Sequence, residues 1–192
     1  MGLDDFRELN LRRVDHDVPN NDDRLWKWLN RRKRVANQIP QLGLFDSDSK
    51  FAEEIGPSGW AHLGHGVVAV AIARPPWISD GEPFCIEMLY PSDVLRRVDG
   101  EGRRIFLREE FEDDGVAKDG QTRMAHPDST TLVVAKVREI DDPGSSLALS
   151  KIDFGASIFA GRAPYEAVDF SGFRPTIERI WIAIASAQRW CT

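Results

Sequence analysis

Hydrophobic positions follow two rhythms along this chain, and the change falls near residue 67. Before it, Leu25, Trp28, Leu29, Ala36 and Ile39 recur at the spacing of one helical face, which predicts a helix over 23–38. Asp22 or Asp23 suits its N-cap, and Pro40 and Gly43 end it. Val67–Ala73 is then a continuous apolar run with β-branched residues, and it predicts a strand buried on both faces. Pro75 and Pro76 stop it. Three further strands are predicted at Phe84–Tyr90, Arg104–Phe111 and Thr130–Ile140, the last on the alternation of Leu132, Val134 and Lys136 with Val133, Ala135 and Val137. Residues 41–59 and 112–129 read as loops, with one helical turn over Phe51–Ile55 and another from Ser92 or Asp93 towards Val98.

The C-terminal third is more ambiguous. Ile152, Phe154, Ala156 and Ile158 alternate as in a strand. Ile177, Ile180, Trp181, Ile184 and Gln188 fall on one helical face behind Pro175, although Ile180–Ile184 alone also reads as a buried strand; a helix over 175–190 is the expectation. Sequential strands with helices before and after, and no βαβ alternation, predict an α+β fold. The expected architecture is an antiparallel sheet of four to six strands, with an N-terminal and a C-terminal helix packed on it. Residues 1–21 are expected to form an N-terminal arm and residues 22–192 a single α+β domain.

Composition adds bounds rather than a function. The chain has 192 residues, 42% of them hydrophobic and 29% charged, which is enough to bury a core without a disulfide or a metal. Its two cysteines, Cys85 and Cys191, read as reduced, unpaired thiols. The first residues lack a basic segment followed by an apolar one, and no apolar run approaches the ~18 residues of a membrane span. The expected location is cytoplasmic, away from membranes. A formal net charge of −6 disfavours bulk nucleic-acid binding.

Charge is unevenly laid out, however. Arg24, Lys27, Arg31, Arg32, Lys33 and Arg34 cluster in the first helix beside Trp26 and Trp28, with no acid between them. Arginines next to an indole can grip phosphate and stack on a base, which makes Arg24, Lys27, Arg31, Arg32 and Arg34 candidate anion-binding residues. Glu109, Glu110, Glu112, Asp113 and Asp114 form the opposite cluster, with Asp119 nearby. It lacks the register of a calcium hand, but it could steer a basic protein partner by long-range attraction.

Catalytic chemistry has weaker support. His62 and His65 sit in the glycine-punctuated stretch Gly59–Gly66, ahead of the apolar run. An i, i+3 pair on a helix could share a divalent metal, with His126 or Asp128 as a third ligand, but Gly59, Gly64 and Gly66 argue against a helix there. Glu87 is the one carboxylate inside an apolar strand; it would be a candidate base if it faced a cleft, and His126 is a second candidate, although strand geometry is expected to turn Glu87 outward. Nucleophile-elbow, phosphate-loop and dinucleotide motifs are absent from the sequence.

Four functions remain in play. The favoured one is a non-catalytic, acidic, cytosolic binding protein that captures a protein partner through a charged surface, as immunity and antitoxin proteins do. No cofactor is expected for it. The others are a metal-dependent hydrolase built on His62, His65 and His126, a small-molecule cup on the Val67–Ile140 strands, and a nucleic-acid-associated factor using 24–34. Nucleic acid is a less favoured partner than protein.

Overall fold

A computed structural model describes residues 22–47, 49–141 and 144–190. The expected N-terminal arm, 1–21, and Cys191 lie outside the described residues. Helices and two small sheets make up the fold, which is α+β in class, and the chain divides into two compact units. One comprises Met1–Leu89 with Phe170–Thr192, the other Tyr90–Asp169.

The first unit is built on a three-stranded sheet of order β1-β3-β2, where β1 is Gln41–Phe45, β2 is Trp60–Gly64 and β3 is Val67–Ala71. The apolar run therefore does form a strand, and it is the central one. Val67, Val68, Ala69 and Val70 are all 0% exposed. Helix α1, Asp22–Arg32, covers one face through Leu29, which packs with Phe45, Phe51, Ile55, Val67, Ala69 and Ala71. The short helix α2, Ala52–Ile55, contributes Ile55 to the same cluster. A C-terminal helix over Arg174–Gln188 covers the other face, placing Ile177, Ile180, Ala183 and Ala187 against Val68 and Val70. Successive strand residues serve opposite faces, so one five-residue strand nucleates two cores.

The sheet departs from the sequence expectation in pairing. β2 runs antiparallel to β3, but β1 pairs with β3 in parallel, Gln41 opposite Val67 through Phe45 opposite Ala71. The polar run 46–49 and the Gly56-Pro57-Ser58-Gly59 run read as a loop over 41–59, with Pro40 and Gly43 as the end of the helix before it. Gly43 is needed for a different reason: a Cβ there would lie 2.6 Å from Cδ1 of Leu29, so glycine lets the helix anchor sit directly on the strand. In place of one antiparallel sheet of four to six strands, there are two sheets, of three and two strands.

Phe84–Tyr90 is not a strand. Ile86–Leu89 forms a 3-10 turn, with Phe84 and Leu89 packed against Ile72 and Ile78. Side chains at the exit of β1 satisfy its backbone: Phe84 N–H donates to Ser47 Oγ at 3.2 Å and Ile86 N–H to Asp46 Oδ1 at 3.1 Å. No ladder is required when side chains take these bonds.

In the second unit, helix α3 is Ser92–Leu95, and the expected strand 104–111 is reduced to isolated bridges flanking a 3-10 turn at Arg108–Glu110. The expected strand 130–140 keeps only β5, Val137–Glu139, which pairs antiparallel with β4, Thr122–Met124, inside the expected 112–129 loop. Phe106, Phe111, Met124, Val134 and Val137 form its core. The 152–158 alternation belongs to helix α4, Lys151–Phe159, which Ser150 caps by accepting from Asp153 N–H at 3.0 Å. Numbered in chain order, the C-terminal helix Arg174–Gln188 is α5, a helix as expected.

Two glycines give a paired test of this packing. A Cβ on Gly172 would lie 2.1 Å from the carbonyl oxygen of Leu89 and 2.5 Å from the Trp77 ring, whose Nε1 donates to Met88 O at 3.1 Å. Gly155 sits inside α4, exposed, where an added Cβ meets nothing within 4 Å. Gly172→Ala should destabilise by about 1–3 kcal/mol through overpacking, whereas Gly155→Ala should stabilise by about 0.5–1 kcal/mol through helix propensity. Urea denaturation of both variants checks this; equal midpoints would contradict the packing described.

Candidate functional site

Helix α1 carries its cations on one side. Positions 24, 27 and 31 follow one another at helical spacing, opposite the buried Leu29; Arg34 lies in the turn that follows α1, and all four side chains are exposed. Lys27, Arg31 and Arg34 form no ion pair among the described residues; Arg31 Nε donates only to the Lys27 carbonyl, at 3.4 Å. Arg32 lies off this stripe, with its guanidinium 5.8 Å from the centre of the Trp28 ring. The cations do not spread round the helix without order, because Leu29 and the partly buried Leu25, Trp26 and Trp28 occupy the sheet-facing side. Trp26 stacks on Phe51 at 4.7 Å and belongs to the core.

The C-terminal end of α1 is pinned. Buried Asn37 places Nδ2 within hydrogen-bonding distance of three carbonyls, 3.2 Å from Arg32, 2.8 Å from Val35 and 2.8 Å from His65. The cationic face is thereby tied to the turn between β2 and β3. In that turn His65 has φ 47° and Gly66 φ 74°, the pair of positive values that a two-residue type I′ hairpin requires.

The acidic cluster is differently occupied. Glu110 forms a two-point pair with Arg104, at 3.1 and 2.7 Å, and also accepts from Leu107 N–H at 2.8 Å. Arg104 in turn lies over the Phe106 ring, 3.6 Å from its centre. Asp114 accepts from Val116 N–H and Asp119 from Gln121 N–H, each at 2.9 Å, and Asp113 lies 3.9 Å from Arg108. Glu109 and Glu112 are exposed. These carboxylates hold turns and an ion pair together as well as charging the surface. Arg96, Arg104, Phe106, Glu109, Lys118 and Asp119 line a cleft of 400 Å³ beside them.

The histidines are distributed between the units. His62 is on β2 and His65 in the following turn, whereas His126 and Asp128 are exposed residues of the second unit. Among the described residues, no three His, Cys, Asp or Glu side chains are grouped to hold a metal ion. Glu87 does not turn outward as a strand would direct it. The 3-10 turn buries it to 7% exposure beside Phe84 and Leu89. Cys85, 3% exposed, is a buried thiol.

His62 has an electrostatic signature of its own. Its ring centre lies 5.6 Å from that of Trp190, and its Nε2 is buried without a hydrogen-bond partner among the described residues. Burial, and secondarily the charge of His65, lower its pKa from the ordinary imidazole value. Residues missed from sequence include Arg123 and Arg138, which β-pairing brings face to face. Only register shows them together, and register was not readable. Compared with known proteins, the chain matches no family model, no curated protein and no solved structure.

A depressed imidazole pKa makes stability depend on pH with a definite sign. The unfolded chain takes up a proton at His62 near pH 6.5, before the folded protein does, so stability is full above that pH and falls below it. The fall ends at the lower folded pKa. Melting temperatures of wild type and His62→Gln between pH 8 and pH 5 should diverge in shape, the variant losing less on acidification. Parallel curves would assign the acid sensitivity elsewhere.

Proposed function

We propose that the protein is a non-catalytic, nucleic-acid-associated binding factor that grips a phosphate backbone with the exposed face of α1. The observation that carries this reading is the alignment of Lys27, Arg31 and Arg34, with Arg24, on one exposed face, without ion pairs for the first three among the described residues. Unpaired cations keep their full attraction for an incoming anion, since no carboxylate partner must first be displaced. From Arg24 to Arg31 the helical part of the row spans about 10 Å at about 1.5 Å per residue. That length covers about three phosphates of one strand, at about 3.4 Å of duplex axis per phosphate. The Trp28–Arg32 pair beside the row offers a stacking surface for a base.

The acidic cluster supports capture of a basic protein less well. Glu110 is committed to Arg104 and Leu107, while Asp114 and Asp119 hold backbone turns. The net charge of −6 does not oppose local contact, because a locally cationic face attracts a polyanion whatever the total.

Fluorescence anisotropy with labelled single- and double-stranded oligonucleotides at about 50 mM salt tests the reading, the expected slope of log K against log salt being about −2 to −3 for three to four contacts. The charge-reversed triple variant Lys27→Glu, Arg31→Glu, Arg34→Glu should lose at least tenfold in affinity while keeping the wild-type circular dichroism. Failure of both oligonucleotides to bind would overturn the proposal. Equal affinity for polyglutamate would reassign the face to an acidic protein.

A further inference from the structure

The β4–β5 ladder contains an electrostatic conflict that no group among the described residues resolves. Thr122 pairs with Glu139, Arg123 with Arg138 and Met124 with Val137. Flanking bonds from Ala125 N–H to Lys136 O, at 3.0 Å, and from Ile140 N–H to Gln121 O, at 3.1 Å, fix the register. They make Arg123 and Arg138 a directly opposed, hydrogen-bonded pair, with Cα atoms about 5.5 Å apart. Met124 and Val137, next along each strand, are 1% and 0% exposed, so both arginines leave by the opposite, solvent face. Lys136 occupies the same face, two residues from Arg138.

Like charges directly opposed across a ladder are destabilising. Neither arginine has an ion pair or a side-chain hydrogen bond among the described residues. The acids closest along the strands do not serve: Glu139 pairs with Thr122, on the other side of the pleat, and Asp114 accepts from Val116 N–H. Arg123, Arg138, Glu139 and Ile140, with Met124 and Ala125, line a cleft of 340 Å³. A guanidinium is a planar fork matched to two oxygens of one oxyanion, and two forks facing one cleft can hold a tetrahedral group from both sides.

We propose that this cleft is a binding site for a phosphate monoester group, clamped between Arg123 and Arg138 with Lys136 adding charge at the edge. A doubly charged group neutralises both arginines and converts their repulsion into attraction. Two opposed forks match a single terminal phosphate, as on a phosphorylated side chain or a mononucleotide. The site uses no residue of α1 and stands apart from the nucleic-acid reading.

Inorganic phosphate is the first probe, with a phosphoserine peptide and a mononucleotide as further arms to separate the two sources. Thermal melts at constant ionic strength should show a higher melting temperature in 10 mM phosphate than in chloride. Titration calorimetry should give one site per chain. Arg123→Gln and Arg138→Gln should each lower phosphate affinity at least tenfold. Each should also melt higher than wild type in low-salt chloride, because removing either charge removes the repulsion. The Lys27→Glu, Arg31→Glu, Arg34→Glu variant should keep the phosphate shift. No phosphate-specific shift in wild type, or a shift retained by both arginine variants, overturns the proposal.

Discussion

Double-sided burial of β3 is the constraint on which the rest of the first unit depends. Val68 and Val70 face α5, while Val67, Ala69 and Ala71 face α1 and α2. Fully burying a valine or leucine contributes about 1.5–3 kcal/mol, and a strand that does this on both faces anchors everything laid against it. Helix α1 illustrates the dependence. At 11 residues it is too short to persist alone, and Leu29, 0% exposed, holds it to the sheet. Its polar side is consequently fixed outward, so the placement of the cationic row follows from the packing of one leucine into the space that Gly43 leaves.

The exit from β3 is secured by α5 as well as by β1, whose Phe45 carbonyl accepts from Ile72 N–H at 2.9 Å. Ala73 N–H donates to Thr176 Oγ1 at 2.9 Å, and Arg179 donates to the carbonyls of Ala71 and Ile72 at 2.7 and 3.1 Å. Burial lowers the Arg179 pKa, yet the carbonyl dipoles satisfy its donors without a carboxylate. A Cβ on Gly59, the residue before β2, would lie 2.3 Å from this guanidinium, so glycine there leaves the room through which Arg179 reaches the strand end. Gly59–Gly66, which in sequence suggests a histidine site, is in structure chiefly the hairpin arm that closes the sheet around β3.

Legibility from sequence tracks how far each element relies on apolar burial. β3, α1 and α5 were readable because Val67–Val70, Leu29 and Ile177–Ile180 are periodic and deeply buried. β1 was not, because Gly43 reads as a breaker until Leu29 is seen above it. The runs 84–90 and 104–111 have strand-like composition but give backbone groups to Ser47, Asp46 and Glu110, and side-chain acceptors of this kind compete with ladders. α4 had its signal in the spacing of Ser150 and Asp153, overridden by the alternation of Ile152 and Phe154. Of the candidate site residues, the α1 cations could be placed from helical periodicity alone, whereas the inward turn of Glu87 required knowing that its segment is not a strand.

Net charge hides a division of labour between the two signs. In the second unit several carboxylates are consumed locally, Glu110 closing on Arg104 and Asp99 lying 3.0 Å from Arg103. Such acids lower the sum of charges without presenting a free anionic surface. On α1 the reverse holds: Asp22 and Asp23 stand at the N-terminus and Arg31 and Arg32 at the C-terminus, each complementing the helix dipole, and the exposed cations between them meet water. An acidic chain can therefore be locally basic where it matters for an anion. Paired charges stabilise the fold and unpaired charges remain to meet a ligand, so which sign is left over at each surface, rather than the total, determines what each surface can hold.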